Sequence, residues 1–74
     1  MRVTYDRGAN ALYVRFSEGS LPSGRQQSVP VPSPEGVEAF VVIDWKGDTI
    51  VGLEVLDASI HLDPDFLEQA EIIG

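Results

Sequence analysis

The fold is decided by residues 37–56, which read VEAFVVIDWKGDTIVGLEVL. Residues 37–45 predict a strand that is apolar on both faces, and such a strand belongs in the middle of a sheet. Its two faces would carry Val41, Ile43 and Trp45 on one side and Phe40, Val42 and Asp44 on the other. Gly47 suits a tight turn at positive φ, so residues 49–56 are expected to return as the antiparallel partner.

The returning strand alternates in the same way. It would place Val51, Leu53 and Val55 on one face and Gly52 and Glu54 on the other. A glycine inside a strand weakens it, and therefore Gly52 indicates a β-bulge or a close approach to the backbone.

A second hairpin is predicted at the start of the chain. Val3 and Tyr5 alternate with polar residues, and the next apolar segment alternates through Leu12, Val14 and Phe16. Residues 6–10 between them are typical of a turn, because Asp and Asn side chains bond nearby backbone and Gly and Asn tolerate positive φ.

The middle of the chain carries a proline at every second position, in Val29-Pro30-Val31-Pro32-Ser33-Pro34. Alternate prolines remove N–H donors from one edge of an extended segment, so residues 29–34 are expected to form an edge strand or an extended strap. The alternative is a proline-rich ligand for the aromatic groove of a partner.

A short helix is predicted over residues 64–72. Asp63 is a good N-cap and Pro64 suits the first helical position. The apolar stripe would consist of Phe66, Leu67, Ala70 and Ile73. A helix this short needs a sheet to pack on, either its own or a partner's.

These elements predict an α+β fold. Two β-hairpins, joined by the proline-rich segment 29–34, would form a four-stranded antiparallel sheet with the C-terminal helix packed on one face. Residues 1–74 are expected to form a single domain.

Composition limits the classes of function. The chain has 74 residues, no cysteine and a net charge of −7, so its core is thin and lacks a disulfide or thiolate–metal staple. Such a domain often gains stability by self-association, and we expect a homodimer. The acidity disfavours nucleic acid and anionic membranes as partners. It serves solubility, or it forms an acidic face for a basic protein partner.

No signal peptide or apolar span is evident in the sequence, which predicts a cytoplasmic protein. Its single histidine, His61, has Asp57 and Asp63 nearby, but this spacing matches no recognised metal site. Asp44 and Glu54 could share a face as an acid/base pair, yet no nucleophile accompanies them. We therefore predict no catalytic residue, no metal site and no cofactor.

If the helix covers the Leu12 side of the sheet, aromatic and arginine side chains would remain for a second subunit. The candidate interface residues are Tyr5, Tyr13, Arg15 and Phe66.

Two blocks of the chain resemble a known family. Residues 3–6 (VTYD) with 11–16 (ALYVRF), and residues 42–45 (VIDW) with Gly47 and 50–59 (IVGLEVLDAS), are similar to the bacterial domain-of-unknown-function family numbered 2283. The resemblance implies a short, stand-alone chain with an antiparallel sheet and no established activity. The chain departs from the family at Asn10, where members usually carry an acidic residue, and in its longer, more proline-rich residues 20–36.

Genes of that family often lie beside genes for small toxin-like proteins. The resemblance therefore implies an interaction role for this chain. We therefore expect a self-associating interaction or regulatory module, such as the neutralising partner of a toxin-like protein. The alternative is a small enzyme or ligand-binding protein whose site forms at a subunit interface and uses Asp44, Glu54 or His61. A third possibility is a purely structural dimer.

Overall fold

A computed structural model describes residues 1–17 and 19–74 of the chain. Within these ranges, six strands form one sheet in the order β3-β4-β5-β2-β1-β6, and all neighbours are antiparallel except β1 and β6. The strands are β1 (Arg2–Asp6), β2 (Ala11–Arg15), β3 (Gln26–Val31), β4 (Val41–Lys46), β5 (Thr49–Leu56) and β6 (Glu71–Ile73). The helices are α1 (Ala58–His61) and α2 (Pro64–Glu68).

The predicted α+β class is confirmed, whereas the prediction of four antiparallel strands is wrong in detail. β4 lies between β3 and β5, as its apolar faces indicate. It begins at Val41 rather than Val37, because the preceding residues close a turn of their own. In that turn the Ser33 N–H donates to the Glu38 carbonyl and the Gly36 N–H donates to the Ser33 carbonyl.

The proline-rich segment supplies the fifth strand. β3 pairs with β4 at one edge of the sheet, with Pro30 opposite Val42. Proline has no N–H to give to a ladder, so the nitrogen of Pro30 faces the free edge. The edge-strand prediction is thus confirmed for residues 29–31, while residues 32–34 leave the strand.

A β-bulge interrupts the β4–β5 pairing. Asp44 pairs with Gly52 but Trp45 pairs with Ile50, which leaves Val51 as the extra residue of β5. Both readings of Gly52, a bulge and a close approach, are confirmed. The predicted face of Val51 is wrong, because the extra residue turns its side chain to the side of Asp44.

The C-terminal segment also differs from the prediction. Asp63 caps α2 as expected, its side chain accepting from the Asp65 N–H at 2.8 Å. The helix ends at Glu68, however, and residues 71–73 form β6 parallel to β1. Two successive β-branched residues, Ile72 and Ile73, favour a strand over a further helical turn.

The helices pack on one face of the sheet of their own chain, over β1, β2 and β5. Asp57, in the left-handed conformation at φ 49°, starts α1, which the sequence did not predict. The buried cluster between the two layers consists of Leu12, Val55, Ala58, Leu67 and Ala70. No helix in the described ranges is long and apolar enough to cross a membrane.

Candidate functional site

The helix-side face continues beyond the helices toward β3. Residues paired across neighbouring strands share a face, so Val29 with Ile43 and Trp45 with Ile50 extend the apolar surface. The helices pack no farther than Val41 and Leu53. We term the uncovered part the open face, consisting of Phe16, Val29, Val31, Ile43, Trp45 and Ile50.

The open face is accessible and uncharged. Phe16 is 46% exposed, Val29 45% and Ile50 41%. Gln27 of β3 pairs with Trp45 of β4 and so lies on the same face, but its side chain is neutral. A contiguous apolar surface of this kind marks an interaction site more often than scattered exposed residues do.

The other face of the sheet carries a polar network across four strands. The Tyr13 hydroxyl of β2 donates to Asp44 Oδ2 of β4 at 2.9 Å, and Ser28 Oγ of β3 donates to Asp44 Oδ1 at 2.7 Å. The Tyr13 ring crosses β5 above Gly52, where an added Cβ would overlap its hydroxyl. Gly52 is therefore the residue that lets Tyr13 reach Asp44.

This arrangement keeps Tyr13 in its protonated, donating form. Burial raises the pKa of the Tyr13 hydroxyl above its ordinary value, and the hydrogen bond and charge of Asp44 raise it further. Arg15 opposes this pKa shift, and Glu54, paired directly opposite Tyr13, adds to it.

Asp44 and Glu54 do share this face, since Glu54 pairs with Val42 and Gly52 pairs with Asp44. Both oxygens of Asp44, however, accept from hydroxyl groups of Tyr13 and Ser28. The geometry thus gives Asp44 the role of a hydrogen-bond acceptor that joins strands.

Beside this network lies a cleft of about 310 Å³, which we term the polar cleft. Its polar side chains come from the ends of β2 and β4 and the start of β3, and its apolar ones from the bulge and the loop before β3. It is lined by Tyr13, Arg15, Leu21, Gln26, Asp44, Lys46 and Val51.

His61 lies elsewhere, at the end of α1. Its ring packs against Phe40 with centroids 4.1 Å apart, in an apolar groove that also includes Pro32 and Pro34. The two neighbouring carboxylates serve the helices: the Asp57 carbonyl accepts from the His61 N–H, and the Asp63 side chain caps α2. In the part of the chain that the structure describes, no three His, Cys, Asp or Glu residues gather as metal ligands.

The four predicted interface residues do not form one surface. Tyr5 pairs with Leu12, so it lies on the helix-side face, where its hydroxyl donates to Asn10 Oδ1 at 2.7 Å. Tyr13 and Arg15 lie on the opposite face. Phe66 is on α2 and 43% exposed. Their role at an interface remains a prediction.

Sequence reasoning missed the open face as a surface. The alternation of its residues was visible, but their coverage depends on where residues 58–70 pack. A helix of nine residues, as predicted, could have been placed over any part of the sheet.

Comparison with known proteins gives one finding. Residues 2–59 match the family described as Protein of unknown function (DUF2283), which is more than half of the chain. No curated protein and no solved structure gives a significant match. The match ends within α1, so Leu67 and Ala70 of the core lie outside it.

Proposed function

Because the chain belongs to the DUF2283 family, whose description assigns no activity, we propose a function from the geometry: a self-associating interaction module. Two copies would pack open face against open face, as the two sheets of a β-sandwich do. The observation that supports this proposal is the accessible, uncharged open face beside a thin core.

The exposed surface area of the chain is larger than expected for a folded monomer of its mass, which supports the proposal that a second copy covers part of it. The chain exposes 5096 Å², whereas a folded monomer of 8.1 kDa is expected to expose ~4,500 Å². The excess of ~600 Å² approaches the ~800 Å² that each partner buries in a standard interface.

The charge distribution favours a second copy over a basic protein. A basic partner would seek carboxylates, yet the open face presents aliphatic and aromatic side chains. Burying two such faces against each other desolvates no charge, and it leaves the carboxylates of a chain with net charge −7 in water.

The free edge of β3 is a poorer site for association. An added strand needs a continuous row of backbone donors, and Pro30 interrupts that row on the outer edge. Face-to-face packing is therefore the mode that we propose.

A matched pair of isoleucine substitutions tests this proposal. Ile50→Glu places a carboxylate on the open face. Because of the two-fold symmetry, each copy would bury one in the same interface, so we expect the dimer to dissociate to monomers. Ile60→Glu makes the same change at a residue that is 74% exposed on α1, and this variant should remain dimeric. Light scattering gives the mass and circular dichroism checks that both variants fold.

Equal dimerisation of the two folded variants would contradict the proposal. A wild-type chain that is monomeric alone and forms a stoichiometric complex with a basic cytosolic protein would also contradict it. The finer role that we propose, regulation or the neutralisation of a toxin-like partner, would use surfaces that the dimer leaves exposed.

A further inference from the structure

We propose that the polar cleft binds a small organic anion. Arg15 and Lys46 would hold a carboxylate group, and the apolar body of the ligand would lie against Val51 and Leu21. The site lies on the opposite face of the sheet from the proposed dimer interface and does not depend on it.

The first observation is the placement of the cations. Four of the five Lys and Arg residues, Arg2, Arg15, Arg25 and Lys46, lie at one end of the sheet, where β2 and β4 finish and β1 and β3 begin. The ion pair found in the described ranges joins Arg2 to Glu71. Within those ranges neither Arg15 nor Lys46 forms an ion pair, although both line the cleft, and Arg15 Nε donates to the Ser17 carbonyl at 3.3 Å.

The second observation concerns the acidic groups nearby. Among the described residues, Asp44 is the carboxylate that lines the cleft, and its two oxygens already accept from Tyr13 and Ser28. Glu54 on the same face and Asp48 in the β4–β5 turn lie outside the lining. Among the described residues that line the cleft, Arg15 and Lys46 against Asp44 sum to 2 − 1 = +1, in a chain whose net charge is −7.

The third observation is an apolar floor built into the strand. The bulge turns Val51 toward the cleft, where it is 6% exposed. Leu21, 44% exposed, stands at the rim. The volume of about 310 Å³ is at the lower end of ligand sites, which combine apolar lining with a few placed polar groups.

These features select the chemistry of the ligand. A guanidinium matches a carboxylate in a planar, two-point contact, and a lysine adds a point charge. The apolar floor favours an anion with a hydrocarbon or aromatic body over a bare inorganic ion. The cleft therefore fits an amino-acid-sized organic carboxylate.

Three probes separate the charge from the body of the ligand: phenylacetate, acetate and phenylacetamide. Titrated into the ¹⁵N-labelled protein, phenylacetate should shift the amides of Arg15, Gln26 and Val51 saturably. Acetate lacks the ring and should bind at least ~10-fold more weakly, and phenylacetamide lacks the charge and should not saturate.

Matched variants locate the site. Arg15→Gln and Lys46→Gln should each weaken phenylacetate at least ~10-fold, whereas Arg7→Gln, at the opposite end of the sheet, should bind as the wild type does. Ile50→Glu should also bind phenylacetate as the wild type does, whether this variant is a monomer or a dimer. Equal binding of phenylacetate and phenylacetamide, or unchanged binding by folded Arg15→Gln and Lys46→Gln, would overturn the proposal.

Discussion

At the β1–β2–β5 end of the sheet, the helix-side face lies under α1 and α2, and Leu12 is 1% exposed. At the β3–β4 end, the same face extends past the helices, and Val29 is 45% exposed. Both ends have the same alternating apolar pattern, so the pattern alone does not decide which residues become core. Coverage decides it, and coverage depends on where the C-terminal segment lies.

The docking of β6 explains why coverage stops. Because β6 pairs with β1, it holds the end of the chain at the edge farthest from β3. The helices between β5 and β6, of four and five residues, then reach across β5, β2 and β1. The helix-side face of β4 beyond Val41, together with that of β3, is left to a second molecule in our proposal.

The largest difference is expected between truncations to alanine under the helices and on the open face, measured as the loss in the free energy of unfolding. Leu12→Ala removes the most deeply buried large side chain and should lower the free energy of unfolding by about 2–5 kcal/mol. Val29→Ala, on the open face, should cost under ~1 kcal/mol in the monomer, because its side chain is half in water. Urea unfolding at a low protein concentration measures both. Similar costs would show that the two halves are equally covered.

On the polar face, Gly52→Ala should destabilise by about 1–3 kcal/mol, because its Cβ displaces the Tyr13 hydroxyl from Asp44. In a Tyr13→Ala background the same substitution should cost little, because the new Cβ no longer meets a tyrosine ring. A double-mutant cycle over the two changes should therefore give a clear coupling energy. Additive effects would show that the Tyr13 ring does not lie over Gly52.

Tyr13→Phe keeps the ring and should cost about 0.5–1.5 kcal/mol at neutral pH, through loss of the hydrogen bond to Asp44. Folding raises the Tyr13 pKa above 10.0, so the wild type holds this extra stability below about pH 10 and loses it as pH rises through the folded-state pKa. The free energy of unfolding of Tyr13→Phe should consequently fall less steeply above about pH 10. Parallel alkaline profiles for the two proteins would contradict this account.

The smallest effect is expected at the outer edge, from Arg2→Gln. Arg2 and Glu71 form an ion pair at 2.8 Å between β1 and β6, but their side chains are 60% and 54% exposed, so water and salt screen the pair. The pairing lowers the pKa of Glu71, and its contribution is present above about pH 4.5 and lost as pH falls. The urea midpoint at neutral pH should not shift measurably, and a large shift would mean that β6 depends on this pair.

The sequence predicted the two hairpins, the central position of β4, the Asp63 cap and the significance of Gly52. All of these follow from local chemistry: alternation, turn residues and a capping carboxylate. The strand β6 was missed because Ile73 continues the helical stripe of Phe66, Leu67 and Ala70, and because parallel pairing with a strand some 70 residues earlier leaves no local signal.

The candidate sites were less accessible to sequence reasoning. The contact of Tyr13 with Asp44 requires the β2–β5–β4 order, which puts Gly52 at the crossing point, and this order cannot be read from one segment. The polar cleft depends on a bulge that moves Val51 to the other face, which reverses its predicted orientation. The face that Tyr5 occupies depends on the register of the first hairpin, which pairs Tyr5 with Leu12 and so places both on the helix-side face.

In the proposed dimer the open face packs against that of a second copy, and Trp45 reports directly on this contact. The chain has one tryptophan, which pairs with Ile50 on the open face. Its emission and its quenching by acrylamide should be followed with the light-scattering mass from nanomolar to micromolar concentration. We expect a blue shift and reduced quenching as the mass rises from 8.1 to 2 × 8.1 = 16.2 kDa. A constant mass of 8.1 kDa, or a doubled mass with unchanged Trp45 emission and quenching, would contradict the claim.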